Sequence, residues 1–94
     1  MMSAWASVAA VIEAWERQPD EGPKPWAAFC VYRDLDPAAR SLAKAAAQCG
    51  KSKVLIGRWS SKWRWVGRVR TWDSEIDRQK RAGQLKAIED MARR

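Results

Sequence analysis

Histidine is absent from this 94-residue chain, cysteine occurs only at Cys30 and Cys49, and the aromatic residues other than tryptophan are one Phe and one Tyr. Lack of histidine removes the commonest general base and a principal metal ligand. Two cysteines far apart, with no second pair, do not give the spacing of a zinc site. Each is expected to fill space as a small apolar side chain, although the sequence leaves a disulfide between them open. No apolar run reaches the roughly 18–20 residues needed to cross a bilayer, so no membrane is expected as a partner. The opening "MMSAWASVAAVIEAW" has no early positive charge and contains Glu13, which makes it a poor signal peptide. Cytoplasm is the expected location. A chain of this length buries only about 60–65% of its unfolded surface, too little for a deep catalytic cleft. Ser41 and Lys44 match the Ser-x-x-Lys spacing, but the other motifs that make such a pair catalytic are missing. No enzymatic activity, cofactor or metal is expected.

Acidic residues are missing from one long stretch. Between Pro37 and Trp72 there are nine Lys or Arg and no Asp or Glu. The net charge of +7 is therefore unevenly spread: residues 1–36 carry three basic and six acidic residues, residues 37–94 fifteen and five. A chain needing charge only for solubility would mix the signs. One-signed charge over this length points to a polyanionic partner, nucleic acid before membrane, with a solvated basic face as the alternative.

β-Branched residues are scarce and alanine is abundant, so the chain reads as all-α. Trp5, Val8, Ile12 and Trp15 share helical spacing, consistent with a short amphipathic helix over 4–16 or with a frayed extension. The segment "RQPDEGPKP" (17–25) reads as a linker, with Pro25 opening the first turn of the next helix. Trp26, Phe29, Cys30 and Arg33 then mark a helix to about Asp34, and "DLDPAAR" a turn. Ser41 is expected to cap a helix from Leu42 to about Cys49, with Asp36 and Pro37 as an alternative start a turn earlier, Gly50 to end it, and Ser52 to cap another reaching Trp59 or Ser60. A long last helix is expected from Ser61 or Lys62, weakened at Gly83. The resulting organisation is an N-terminal extension and linker (1–24), a helix-turn-helix domain (25–64) and a C-terminal helix (65–94).

The helix-turn-helix reading rests on spacing. Ala46 is small enough for a close helix crossing, Gly50 suits a left-handed turn, and Ile56 with Trp59 bury the inner face of the third helix. The outward residues are then Ser52, Lys53, Val54, Gly57 and Arg58, placed to read base edges in a major groove. Arg40, Ser41, Lys44, Lys51, Lys62 and Arg64 surround them as expected phosphate contacts. Trp65, Val69, Trp72 and Ile76 recur at the a/d spacing of a coiled-coil seam, a candidate for self-association. The same spacing also allows Trp65, Val66 and Val69 to pack back onto the small domain.

Residues 15–77 resemble the N-terminal region of phage and prophage proteins identified as terminase small subunits or helix-turn-helix proteins. The resemblance lies in "WERQP", the Phe29–Leu35 stretch "FCVYRDL", "RSL" at 40–42, "GKS" at 50–52, and "RWSSKWRWVGR" followed by Trp72 and Asp73. It implies recognition of viral double-stranded DNA in the host cell, assembly into a homo-oligomer, and delivery of DNA to a terminase large subunit that supplies the ATPase and nuclease. Such proteins usually continue into a longer assembly region, a role that would fall here to residues 71–94. Transcriptional repression and a helical protein–protein adaptor are the competing readings.

Overall fold

The structure is a computed structural model and describes residues 12–93. Among these, the regular elements are four helices: α1 (Pro23–Asp34), α2 (Leu42–Cys49), α3 (Lys53–Lys62) and α4 (Trp65–Ala92). The chain is thus all-α, a small helical domain with a longer C-terminal helix.

Each boundary has a local cause. α1 begins two residues before the expected start because Pro23 and Pro25 both sit in the first turn, where backbone N–H groups have no intrahelical acceptor to lose. The following turn is closed by Asp36, whose carboxylate accepts from the Ala38 N–H. Ser41 and Ser52 cap α2 and α3, their hydroxyl oxygens accepting from the N–H groups of Lys44 and Leu55 at 3.1 Å each. Between these helices Gly50 adopts φ +64°, and the N–H groups of Gly50 and Lys51 donate back to the carbonyls of Ala47 and Ala46. That Schellman pattern favours glycine because a Cβ is strained in the left-handed region. α3 continues to Lys62, past the expected end. The break before α4 falls at Trp63–Arg64, where Arg64 takes a left-handed φ of 54°.

Of the expected 4–16 helix, residues 12–16 form irregular and turn structure instead. Its remainder, with Trp5 and Val8, lies outside the described residues. Residues 12–22 are no free linker either: Glu21 is buried, and the Trp15 and Trp72 rings lie 5.8 Å apart between centroids.

The core gathers Ala28, Phe29 and Tyr32 from α1, Ala45 and Ala46 from α2, Ile56 from α3, and Trp65 and Val69 from α4. Trp65 is fully buried, with ring centroids 5.9 Å from Phe29 and 5.4 Å from Tyr32. Its indole N–H meets no acceptor among the described residues. Leaving that donor unmade costs about 1–3 kcal/mol. Burial of roughly 200 Å² of aromatic surface contributes about 5 kcal/mol and outweighs it.

This placement corrects the expected seam. Trp65 and Val69 are consumed by the core, Trp72 and Ile76 are half-buried, and Val66, which the packed-back alternative would have buried, is 54% exposed. The first two turns of α4 therefore belong with the helices before them. Beyond Ile76 the reverse holds. Residues 77–93 are exposed throughout, including Leu85, Ile88 and Met91. Gly83 does not interrupt the helix.

Candidate nucleic-acid interface

α3 is divided by face. Ile56 is fully buried, Ser60 is buried and Trp59 packs partly against the core, which fixes the rotation of the helix. Helical periodicity then sends Val54, Arg58 and Ser61, spaced i, i+4 and i+7, to the opposite side, and all three are exposed. Lys51, Ser52 and Lys53 are exposed at its N-terminal end, and Val54 is 67% exposed. Gly57 flanks this row. A Cβ built there would meet nothing within 4 Å, so no neighbour inside the chain requires glycine.

Charge follows the same division. Of the nine basic residues in the acid-free stretch, Arg40 and Arg68 form ion pairs with Asp73 and Glu21. Lys44, Lys51, Lys53, Arg58, Lys62, Arg64 and Arg70 have no carboxylate partner among the described residues. All seven are exposed. Lys62 lies over the Trp63 ring, with Nζ 5.4 Å from its centroid, and keeps its charge at the surface. Exposed cations without carboxylate partners, on and around a helix whose outward row carries Arg58, can bind phosphates and present Arg58 to a groove.

Two expected phosphate contacts do other work. The Arg40 side chain is only 7% exposed. Its Nη1 and Nη2 donate to the Asp73 carboxylate at 2.7 and 2.9 Å, and Nε and Nη2 donate to the carbonyls of Tyr32, Arg33 and Leu35 at the end of α1. Hydrogen bonding to Asp73 raises its pKa further above the ordinary arginine value. Arg40 is a structural clamp between α1 and α4. Ser41 is half-buried, and its oxygen is engaged as the α2 cap.

The sequence reading missed the Arg68–Glu21 pair. The Arg68 guanidinium lies 3.8 Å above the Phe29 ring, donates to both Glu21 oxygens, and also donates to the carbonyls of Ala14, Glu16 and Trp63. One side chain thereby ties residues 14–21 to the α3–α4 turn. It placed Arg33 on the patterned face of the first helix but not its stacking over Trp72 at 4.9 Å and Trp26 at 5.8 Å. Ser61, exposed on the outward row of α3, and Arg70, exposed on α4, are further additions.

Cys30 and Cys49 are free, and burial raises both thiol pKa values, which disfavours the reactive thiolate. Among the described residues no three His, Cys, Asp or Glu side chains come together as a metal site, and no helix is long and apolar enough to cross a membrane. No protein-family model, curated protein or solved structure matches the chain.

Proposed function

We propose that this chain is a non-enzymatic binder of double-stranded DNA that lays α3 in the major groove, and that it serves phage DNA recognition for packaging in the bacterial cytoplasm. The observation that carries the DNA reading is the outward row Val54–Arg58–Ser61, set among seven exposed cations that have no carboxylate partner among the described residues. Arg58 reads a guanine edge, Val54 meets a thymine methyl, and Ser52 and Lys53 contact bases at the helix start. Lys44, Lys51, Lys62 and Arg64 hold phosphates and set the register. The packaging role draws on the resemblance of residues 15–77 to terminase small subunits, and with it comes a terminase large subunit as partner.

A single module of this kind buries roughly 600–1,000 Å² and binds modestly, so repetition on a homo-oligomer would raise affinity by avidity. With Trp65 and Val69 in the core, self-association falls to the distal half of α4, where Leu85, Ile88 and Met91 are 62–73% exposed. The same side chains also favour a second reading, a helical adaptor that docks a protein partner.

Selection from a random duplex library, run beside a solution mass measurement, tests the proposal. An enriched motif whose enrichment is lost in Arg58→Ala supports it. Equal retention of all sequences, with partner binding that survives nuclease treatment, overturns it in favour of the adaptor.

A further inference from the structure

The distal half of α4 carries an apolar row that none of the described residues covers. Leu85, Ile88 and Ala92 recur at spacings of three and four and so share one face of the helix. Leu85 and Ile88 are each 62% exposed. Followed back toward the core at the same spacing, that face passes Arg81 and Arg78 to reach Ser74 and Thr71. Thr71, Ser74 and Arg78 line a groove together with Glu13 and Trp15, and the Trp15 ring lies against Trp72. The chain before Glu13 therefore joins the folded part on the face of α4 whose continuation is the bare row.

The sequence supplies a matching occupant. Residues 1–11 lie outside the described residues; with Ile12 they hold no Lys, Arg, Asp or Glu, and all but Ser3 and Ser7 are apolar. A segment of that composition needs a surface to bury against. Met1, Trp5, Val8 and Ile12 repeat the four-three-four spacing of the α4 row, and Ile12, next to the groove, is 42% exposed. Length also fits. From Arg78 to Ala92 α4 runs roughly 21 Å, and eleven residues span about 16 Å as a helix and up to about 36 Å extended. A second α4 is the poorer occupant. A seam between two such helices needs apolar positions over about three to four heptads, whereas this row offers Leu85, Ile88 and Ala92 behind two arginines.

We infer that residues 1–11 of the same chain dock on this face of α4, antiparallel to it, with Trp5 and Val8 on Leu85 and Ile88. The contact gives the distal half of α4 the support that the described core does not. Met91, about a quarter-turn round the helix from the row, stays outward. The self-association proposed for this half then uses a face built from both segments, and the docking itself does not depend on DNA binding.

Amide hydrogen exchange on the full chain tests this. Residues 5–11 and 84–91 should both be protected. Trp5→Glu/Val8→Glu should speed exchange over 84–91 by about ten-fold, and Leu85→Glu/Ile88→Glu should do the same over 5–11, while α1 to α3 keep their parent rates. Lys86→Glu, off the row, should change neither segment. Unprotected amides at 5–11 in the parent, or protection there that survives Leu85→Glu/Ile88→Glu, overturns the inference. A Val8→Cys/Leu85→Cys chain carrying Cys30→Ala/Cys49→Ala separates the same chain from a second copy. Oxidation should give a disulfide within one chain, seen as a monomer on a non-reducing gel. A covalent dimer assigns the row to a second copy and overturns the inference, as does the absence of any bond. No nucleic acid enters either experiment, so a failure of the DNA reading leaves both results standing.

Discussion

The guanidinium of Arg68 and the carboxylate of Glu21, 47 residues apart in the chain, meet as a buried bidentate pair, Nη1 to Oε2 at 2.9 Å and Nη2 to Oε1 at 3.0 Å. Removing one partner of such a pair leaves a buried charge uncompensated, which costs about 3–5 kcal/mol. Glu21→Ala is expected to lose that much in urea denaturation, a large share of the roughly 5–15 kcal/mol that holds a small domain folded. Glu21→Gln keeps an acceptor for the guanidinium and should fall between parent and Glu21→Ala. A Glu21→Ala chain with the parent's midpoint would show that the pair does not hold residues 14–21 to α4.

Arg40 and Lys44 look alike in the sequence, two basic residues one helical turn apart at the start of α2, but they are expected to respond in opposite ways. Arg40→Ala strips Asp73 of its partner and frees three carbonyls at the end of α1, so it should lower stability by about 2–3 kcal/mol. Below its melting transition, that variant should keep the parent's salt dependence of DNA binding. Lys44→Ala removes an exposed ammonium with no ion pair among the described residues, and it should melt like the parent. Its plot of log affinity against log salt should flatten by about one unit. Melting curves and fluorescence anisotropy over a salt series separate the two roles.

The contrast marks what the sequence could reveal. Local signals were legible: the Ser41 and Ser52 caps, the left-handed Gly50, the end of α2 at Cys49, and the inward Ile56 with the outward Arg58 all follow from residues within a turn of one another. Long-range pairing was not. Arg40 finds Asp73 across 33 positions and Arg68 finds Glu21 across 47, and nothing near either arginine separates it from neighbours that stay in solvent. Heptad spacing at Trp65, Val69, Trp72 and Ile76 was real but ambiguous, because the same period serves a seam between chains and a stripe packed on the chain's own core. Trp65 against Phe29 and Tyr32 resolves it for the first two turns.

Gly57 separates internal from external demands on α3. Glycine in a helix interior costs about 1 kcal/mol relative to alanine, and here a Cβ would meet nothing within 4 Å. Gly57→Ala should therefore raise stability by about 1 kcal/mol. If α3 approaches a duplex closely at this point, the same methyl group should weaken specific DNA binding. Gly83→Ala, equally unobstructed but on the exposed half of α4, should gain stability without changing affinity. Equal affinity for parent, Gly57→Ala and Gly83→Ala would remove Gly57 from the interface while leaving the fold unaffected.

The distal half of α4 gains nothing from the core. Residues 77–93 are exposed on every side, and their ion pairs, Arg78 with Glu75 and Arg81 with Asp77, lie on the helix surface. An unsupported helical stretch of this length is marginal in water, so its helicity rests on propagation from the anchored first turns or on contact with another surface. A chain ending at Lys80 is expected to keep the parent's thermal transition and its affinity for a single short duplex site, because Trp65, Arg68 and Val69 remain. Mass and avidity should change instead. If Leu85, Ile88 and Met91 join copies of the chain, the shortened form should sediment as a monomer and lose the extra affinity that the parent gains on DNA with several adjacent sites. A shortened chain with the parent's mass and multisite affinity would exclude the tail as an assembly surface and move that role to the half-buried Trp72 and Ile76.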